Sequence, residues 1–223
     1  WAYNDQVPAV KYDPTQAADL LKNAGYVISG ETETVRKKEE VELSFVFSYP
    51  DDDLHQSIAQ MIAEDWEAIG VKVELEAVPP DIFVSEKLDP RAYEAALVDL
   101  NLSQTPDPDP YPFWDLGQAE SGQNYSQWNN RLASDSIEQA RVTTDLAERM
   151  RLYHNFQAVF ADELPALPLY YPVYNYGVSN QIQGVTMGPL FDTSDRLVTI
   201  TKWFLTTSRN QQTSAPETTT TED

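Results

Sequence analysis

Side chains able to break or make bonds are few and scattered in this chain. It has no cysteine and two histidines, His55 and His154. Without cysteine there are no disulfides, Cys-ligated metals, iron–sulfur clusters or thiol nucleophiles. Each histidine stands alone within a helical pattern, where an ordinary surface or half-buried role is expected. Members of a Ser-His-Asp triad lie far apart in sequence, so spacing does not test for one. No Gly-x-Ser-x-Gly elbow or Gly-rich phosphate loop supports it. Carboxylates are abundant, 36 Asp and Glu, and paired carboxylates can do acid–base hydrolysis. With so many acids, chance pairs are expected, so a carboxylate hydrolase stands only as the alternative. Asp107-Pro108-Asp109 looks like the start of a calcium loop. An EF-hand starting there would need Gly and Glu where Pro112 and Gln118 stand. The expectation is a protein that is not an enzyme, with no cofactor and no metal.

Binding chemistry is better represented. Tyr111, Phe113, Trp114, Tyr125 and Trp128 fall in loop-like sequence among Asn, Gln and Ser. Aromatics with a few polar neighbours make surfaces that hold small molecules. A second role stays open, in which Trp114 and Trp128 cap the core beneath a long loop. A predicted strand ending at Asp99 and Asn101 favours the binding role, because ligands of open α/β folds sit beyond the carboxyl ends of strands, where this loop begins.

The elements that must position these residues are legible. Asp13-Pro14 opens a helix, Ala17, Leu20, Leu21 and Ala24 form its apolar face, and Gly25 stops it. Residues 28–40 read as a loop. Val41, Leu43, Phe45 and Phe47 alternate as a strand. Asp51, Asp52 and Asp53 suit a helix N-terminus. Leu54, Ile58, Met61, Ile62, Trp66 and Ile69 make that helix's buried stripe, and Gly70 ends it. Val71, Val73, Leu75 and Ala77 then form a second strand, so the unit is a parallel crossover. A short helix over 81–88 and a third strand over Ala95–Leu102 follow, and a helix pair spans about 131–143 and 145–163. Pro165 and Pro168 stop the last helix, and Leu167, Leu169 and Tyr171 alternate as a strand. Residues 206–223 are polar, of low complexity and expected to be disordered.

The balance of 15 Lys and Arg against 36 Asp and Glu gives a formal charge of −21 over 223 residues. Such a surface is a poor partner for nucleic acid or an anionic membrane. With 41% hydrophobic residues the chain can bury a core. No apolar run is long enough to span a bilayer.

The stretch RMRLYHNFQAVFADELPALPLYY, Arg149 to Tyr171, places Leu152, Tyr153, Phe156, Val159 and Phe160 on one helix face before an acidic end and an aromatic segment. Together with YDPTQAADLLKNAGY, SQTPDPDPYPFWDL and GQNYSQWNN, it resembles the C-terminal part of bacterial extracellular solute-binding proteins of family 5. These receptors feed oligopeptides, dipeptides, nickel complexes or some sugars to ABC importers. The resemblance covers roughly residues 10–205.

The resemblance implies an α/β, periplasmic-binding-protein-like (type II) lobe, with a mixed sheet flanked by helices. Residues 1–165 would be the second lobe of a two-lobed receptor whose first lobe is absent from this chain. Residues 166–205 would return to pack on that first lobe, and 206–223 would be the tail. It also implies an internal fragment of an extracytoplasmic protein, lipid-anchored through the missing N-terminus, monomeric and served by ABC permease subunits. A non-transport sensing module on the same fold is a further alternative. In the family's peptide receptors a Gly-Trp pair often closes the third strand, and an Asp three residues after the Trp pairs with the peptide α-amino group. Aligning the following Pro with Pro108 puts Leu100-Asn101 at the Gly-Trp pair and Gln104 at the Asp. A neutral amide cannot supply the same charge-assisted bond. Asp107 or Asp109 is then expected to take over, or the solute is a sugar, a blocked peptide or another polar molecule. The ligand-binding set implied is Asn101, Gln104, Asp107, Trp114, Tyr125, Trp128, Tyr170 and Tyr171.

Overall fold

The computed structural model describes residues 1–30, 32–101, 107–188 and 193–206; Gln104 and the tail over 207–223 lie outside them. The chain divides into two units, the first formed by Trp1–Asn101 and Asp107–Pro168, the second described from Leu169 onward.

The first unit opens with helix α1, Pro14–Asn23. Asp13 caps it by accepting from the Gln16 backbone N–H at 2.8 Å, Pro14 takes the first position, and Gly25 leaves it with φ +94°. No residue of α1 is buried, and Leu20 is 62% exposed. The expected apolar face is covered only in part: Ala17 and Leu21 are half-buried, while Leu20 and Ala24 are exposed. A hairpin follows, β1 (Lys37–Lys38) against β2 (Val41–Glu42). The strand expected over 41–47 is thus broken. Its first part turns back on β1, and β3, Ser44–Pro50, enters the main sheet.

That sheet has three strands, with β3 between β4 (Lys72–Val78) and β5 (Ala95–Ala96), all parallel. Antiparallel pairing is confined to short separate ladders. Helix α2, Asp53–Ala68, makes the crossover from β3 to β4. Its packed stripe is Ile58, Ala59, Ile62, Ala63 and Trp66, set against Phe45, Phe47, Tyr49, Val73 and Leu97. Leu54 and Met61, expected in that stripe, are 58% and 67% exposed. Two alanines carry the close approach to the sheet, and the larger side chains flank it. β5 is shorter than the expected strand over 95–102. Its last ladder bond runs from Leu97 N–H to the Ser48 carbonyl, after which the chain leaves the sheet and Asp99 meets His55 at the start of α2.

A one-turn helix α3, Pro80–Phe83, continues into a π-turn over Val84–Leu88, and Phe83 and Leu88 pack with Val78. After a one-turn helix α4, Tyr111–Trp114, come α5, Arg131–Val142, and α6, Leu146–Glu163, the expected antiparallel pair. Leu152, Tyr153 and Phe156 are buried, with Val159 and Phe160 packed beside them. Burial of a side chain such as Ile137 or Phe156 contributes roughly 2 kcal/mol. Leu164 ends α6 in the left-handed region, φ 47°.

In the second unit β6 (Ile182–Gln183) pairs antiparallel with β7 (Phe204–Leu205), with short 3₁₀ turns at Thr193–Leu197 and Ile200–Lys202. The strand expected at Leu167, Leu169 and Tyr171 does not form. These residues are 61%, 50% and 86% exposed, and alternation without a neighbouring strand gives no ladder.

Candidate ligand-binding cleft

Three parallel strands end on one edge of the first unit, and a cleft of about 490 Å³ lies there. Pro50 closes β3 at this edge, Pro80 follows β4, and Val98 to Asn101 continue from β5. Phe83, Leu88, Val98 and Phe113 give it apolar walls. Its polar lining is Asp52, His55, Asp99, Asn101, Gln123 and the ring of Tyr125. Among the described residues no Lys or Arg lines it.

Asp52 is fixed by the backbone. Its Oδ1 accepts from the N–H groups of Leu54 and His55, each at 3.0 Å, capping α2. The His55 ring stands between two carboxylates, Nδ1 at 2.6 Å from Asp52 Oδ2 and Nε2 at 3.1 Å from Asp99 Oδ2. The His55 side chain is 12% exposed and that of Asp99 is 86% exposed. The backbone N–H of His55, and then its ring, hold the Asp52 carboxyl below the usual carboxylate range.

Tyr125 is held from behind. Tyr93 donates its hydroxyl to the Tyr125 carbonyl, and the Arg91 guanidinium lies 5.0 Å from the Tyr125 ring centroid. Burial pushes both tyrosine hydroxyls up from their ordinary values. Arg91 also donates to the carbonyls of Leu88, Ala119 and Gly122, so the loop carrying Gln123 and Tyr125 is tied to the end of the π-turn. Asn124, fully buried, donates to the carbonyls of Asp115 and Trp128.

Of the residues singled out from the sequence, Asn101 and Tyr125 come together in this cleft. Asp107 is engaged elsewhere: Arg149 Nη2 lies 2.5 Å from its Oδ2, and Tyr153 donates to its Oδ1 at 3.2 Å. Asp109 faces Arg141 at 3.0 Å. Trp114 packs edge-on against Phe160 with centroids 4.8 Å apart. Trp128 is buried in the helical cluster, with its indole N–H on Glu163 Oε2 at 2.7 Å. Both tryptophans therefore cap the core. Tyr170 and Tyr171 belong to the second unit and are exposed. Sequence reasoning missed Asp52 and His55 as cleft residues. Asp52 was accounted for by the helix dipole alone, and His55 gave no signal beyond its place in the first turn. Among the described residues no group of three or more His, Cys, Asp or Glu is placed to hold a metal ion, and no helix is long and apolar enough to cross a membrane.

Residues 1–123 match the family model for the middle part of bacterial extracellular solute-binding proteins, family 5. The chain belongs to this family. The dipeptide-binding protein of Escherichia coli K12 is 28% identical over 193 residues, which is 85% of this chain and 34% of that protein. Among solved structures, the oligopeptide-binding protein AppA of Bacillus subtilis, in complex with a nonapeptide, superposes with a TM-score of 0.72 at 22% identity. The match covers 93% of this chain and 40% of AppA. NikZ of Campylobacter jejuni, in complex with Ni(L-His), gives 0.71 at 24% identity, over 91% of this chain and 41% of NikZ. These likenesses establish the type II periplasmic-binding-protein-like fold. The chain spans about a third of the length of the curated relatives it matches. The family consists of periplasmic or extracellular solute-binding proteins rather than enzymes.

Proposed function

We propose that this chain is the ligand-binding lobe of an extracytoplasmic receptor that captures a peptide-like or other polar solute and hands it to an ABC importer. The observation that carries the reading is a half-apolar cleft beyond the carboxyl ends of three parallel strands, where ligands of open α/β folds sit, in a chain of this family. Relatives named for dipeptides and oligopeptides support a peptide-like class of solute. Residues 1–165 form the second lobe. Residues 166–205 pack on a first lobe supplied by sequence outside this chain. No bond is broken. The solute contacts both lobes only in the closed state and so shifts the population toward closure, and the closed form, a monomer, docks on permease subunits. A lipid anchor ahead of this chain keeps the receptor at the membrane surface.

The deciding experiment is native mass spectrometry of the protein purified gently at its native length from its own host. The expected result is a bound species whose fragment ions identify a peptide or another small polar solute. Protein that carries no solute and takes up none from a peptide or sugar mixture would refute the receptor reading.

A further inference from the structure

We propose that His55 is a pH-gated latch on the cleft. Its charged ring ties Asp99, just past β5, to Asp52 at the start of α2, and loss of the ring proton frees the segment 99–101. Only the effect on solute capture rests on the receptor reading above.

Both ring nitrogens face carboxylate oxygens, Nδ1 at 2.6 Å from Asp52 Oδ2 and Nε2 at 3.1 Å from Asp99 Oδ2. An ionised carboxylate only accepts hydrogen bonds, so both contacts together take two ring N–H groups, and the imidazolium is the form that has them. The neutral ring keeps one N–H and turns a lone pair toward the other carboxylate. The contact that fails is the one to Asp99. Asp52 is the closer partner and is fixed, since its Oδ1 accepts from the backbone N–H groups of Leu54 and His55. The same backbone N–H of His55 holds the Asp52 carboxyl below the usual range, so it stays ionised while the ring titrates. The Asp99 side chain is 86% exposed against 12% for the ring, so Asp99 is the group free to turn to water.

The other elements around the ring offer no substitute partner. α3 and the π-turn bring Phe83, Val84 and Leu88, and α4 brings Phe113. The loop after α4 brings Gln123 and the Tyr125 hydroxyl, which burial pushes up from its ordinary value. Among the described residues no Lys or Arg lines the cleft to take Asp99 over. The ladder also ends early here. Its last bond runs from Leu97 N–H to the Ser48 carbonyl, two residues before Asp99. Asp99, Leu100 and Asn101 all line the cleft, so releasing them loosens one wall. The tie is present while the ring is charged and is lost as pH rises through the ring's titration.

The test compares hydrogen exchange of the unliganded protein, at its native length, at about pH 5.5 and about pH 9, either side of the range in which histidine changes charge. Rates are corrected for the intrinsic pH dependence of amide exchange. Segment 97–101 should be protected about threefold more at the lower pH, the scale of one ion pair with an exposed partner, with the crossover from β3 through α2 to β4 unchanged. His55→Gln should abolish the difference. So should Asp99→Asn, since a neutral amide can accept from the charged ring or donate to the neutral one. Asp99 is exposed, so this variant should fold normally, which circular dichroism checks. Solute carried from the native host should also be retained about threefold better at the lower pH by the parent, and equally at both pH values by the two variants. Equal protection at the two pH values, or a difference that survives His55→Gln, overturns the latch. Retention that follows pH alike in the parent and His55→Gln overturns its effect on capture. Protein that carries no solute overturns the receptor reading instead, and the exchange comparison still decides the latch.

Discussion

Arg149 Nη2 lies 2.5 Å from Asp107 Oδ2, while its Nε donates to the Ala140 carbonyl at 3.0 Å. One guanidinium thus ties the chain just before α4 to the end of α5 from the first turn of α6. Its plane also lies near the rings of Trp1 and Tyr153. Arg149→Ala should lower stability by about 2 kcal/mol, the scale of lost hydrogen bonds from a charged group plus stem packing. Arg149→Lys should recover less than half, because a point charge cannot bond in two directions from one plane. Urea unfolding of the three proteins checks this, and a lysine variant as stable as the parent would contradict the geometry.

Asn124 offers a sharper case. It is fully buried, donates to the carbonyls of Asp115 and Trp128, and accepts from the Trp128 backbone N–H and the Ser126 hydroxyl. Asn124→Ala strands several buried groups at once. The expected loss is about 3 kcal/mol, with Trp128 emission moving to the red as water reaches the loop. A loss below about 1 kcal/mol would show that the loop reorganises to satisfy these groups itself.

The helix and strand framework was legible because its signals are local. Asp13-Pro14 and Asp52 each sit within three residues of the N–H they cap. The crossover from β3 through α2 to β4 follows from period and length. The cleft chemistry was not legible because its bonds are long-range: His55 and Asp99 are 44 residues apart. The buried face of α2 was legible through Ile58, Ile62 and Trp66, but its centre was not, since Ala59 and Ala63 govern the approach to the sheet while Leu54 and Met61 stand exposed at its edge. Leu167, Leu169 and Tyr171 alternate as a strand would, yet alternation alone says nothing about whether a partner strand exists.

Acid should loosen the sheet through Glu76. Its Oε1 lies 2.6 Å from Lys87 Nζ, and its Oε2 accepts from the buried Ser48 hydroxyl at 2.6 Å. Lys87 first and Ser48 second hold this carboxyl below its ordinary value of 4.5. A folded-state value below the unfolded one means the contribution is fully present above about pH 4.5 and is lost as pH falls through the folded value. Glu76 is 38% exposed, so the effect is modest. The stability gap between the parent and Glu76→Gln should be constant near neutrality and close below about pH 4.5. A gap that stays the same from pH 7 down to 3 would sink this assignment.

Arg91 positions the aromatic wall of the cleft. It takes a positive φ of 57°, a strained choice for a long side chain. From there its guanidinium reaches carbonyls of Leu88, Ala119 and Gly122 and covers the Tyr125 ring. Arg91→Ala should cost about 3 kcal/mol, since buried carbonyls lose a charged donor, and alanine, which keeps Cβ, leaves the positive-φ strain in place. Arg91→Lys keeps the charge and can satisfy one or two carbonyls, so it should recover part of the stability but not the order of the 116–125 loop. The two variants separate folding from function. At a temperature where both stay folded, each should bind solute more weakly than the parent, with Tyr125 resonances broadened and those of β3 and α2 unmoved. Unchanged affinity in a folded Arg91→Lys variant with a disordered loop would remove Tyr125 from the binding surface.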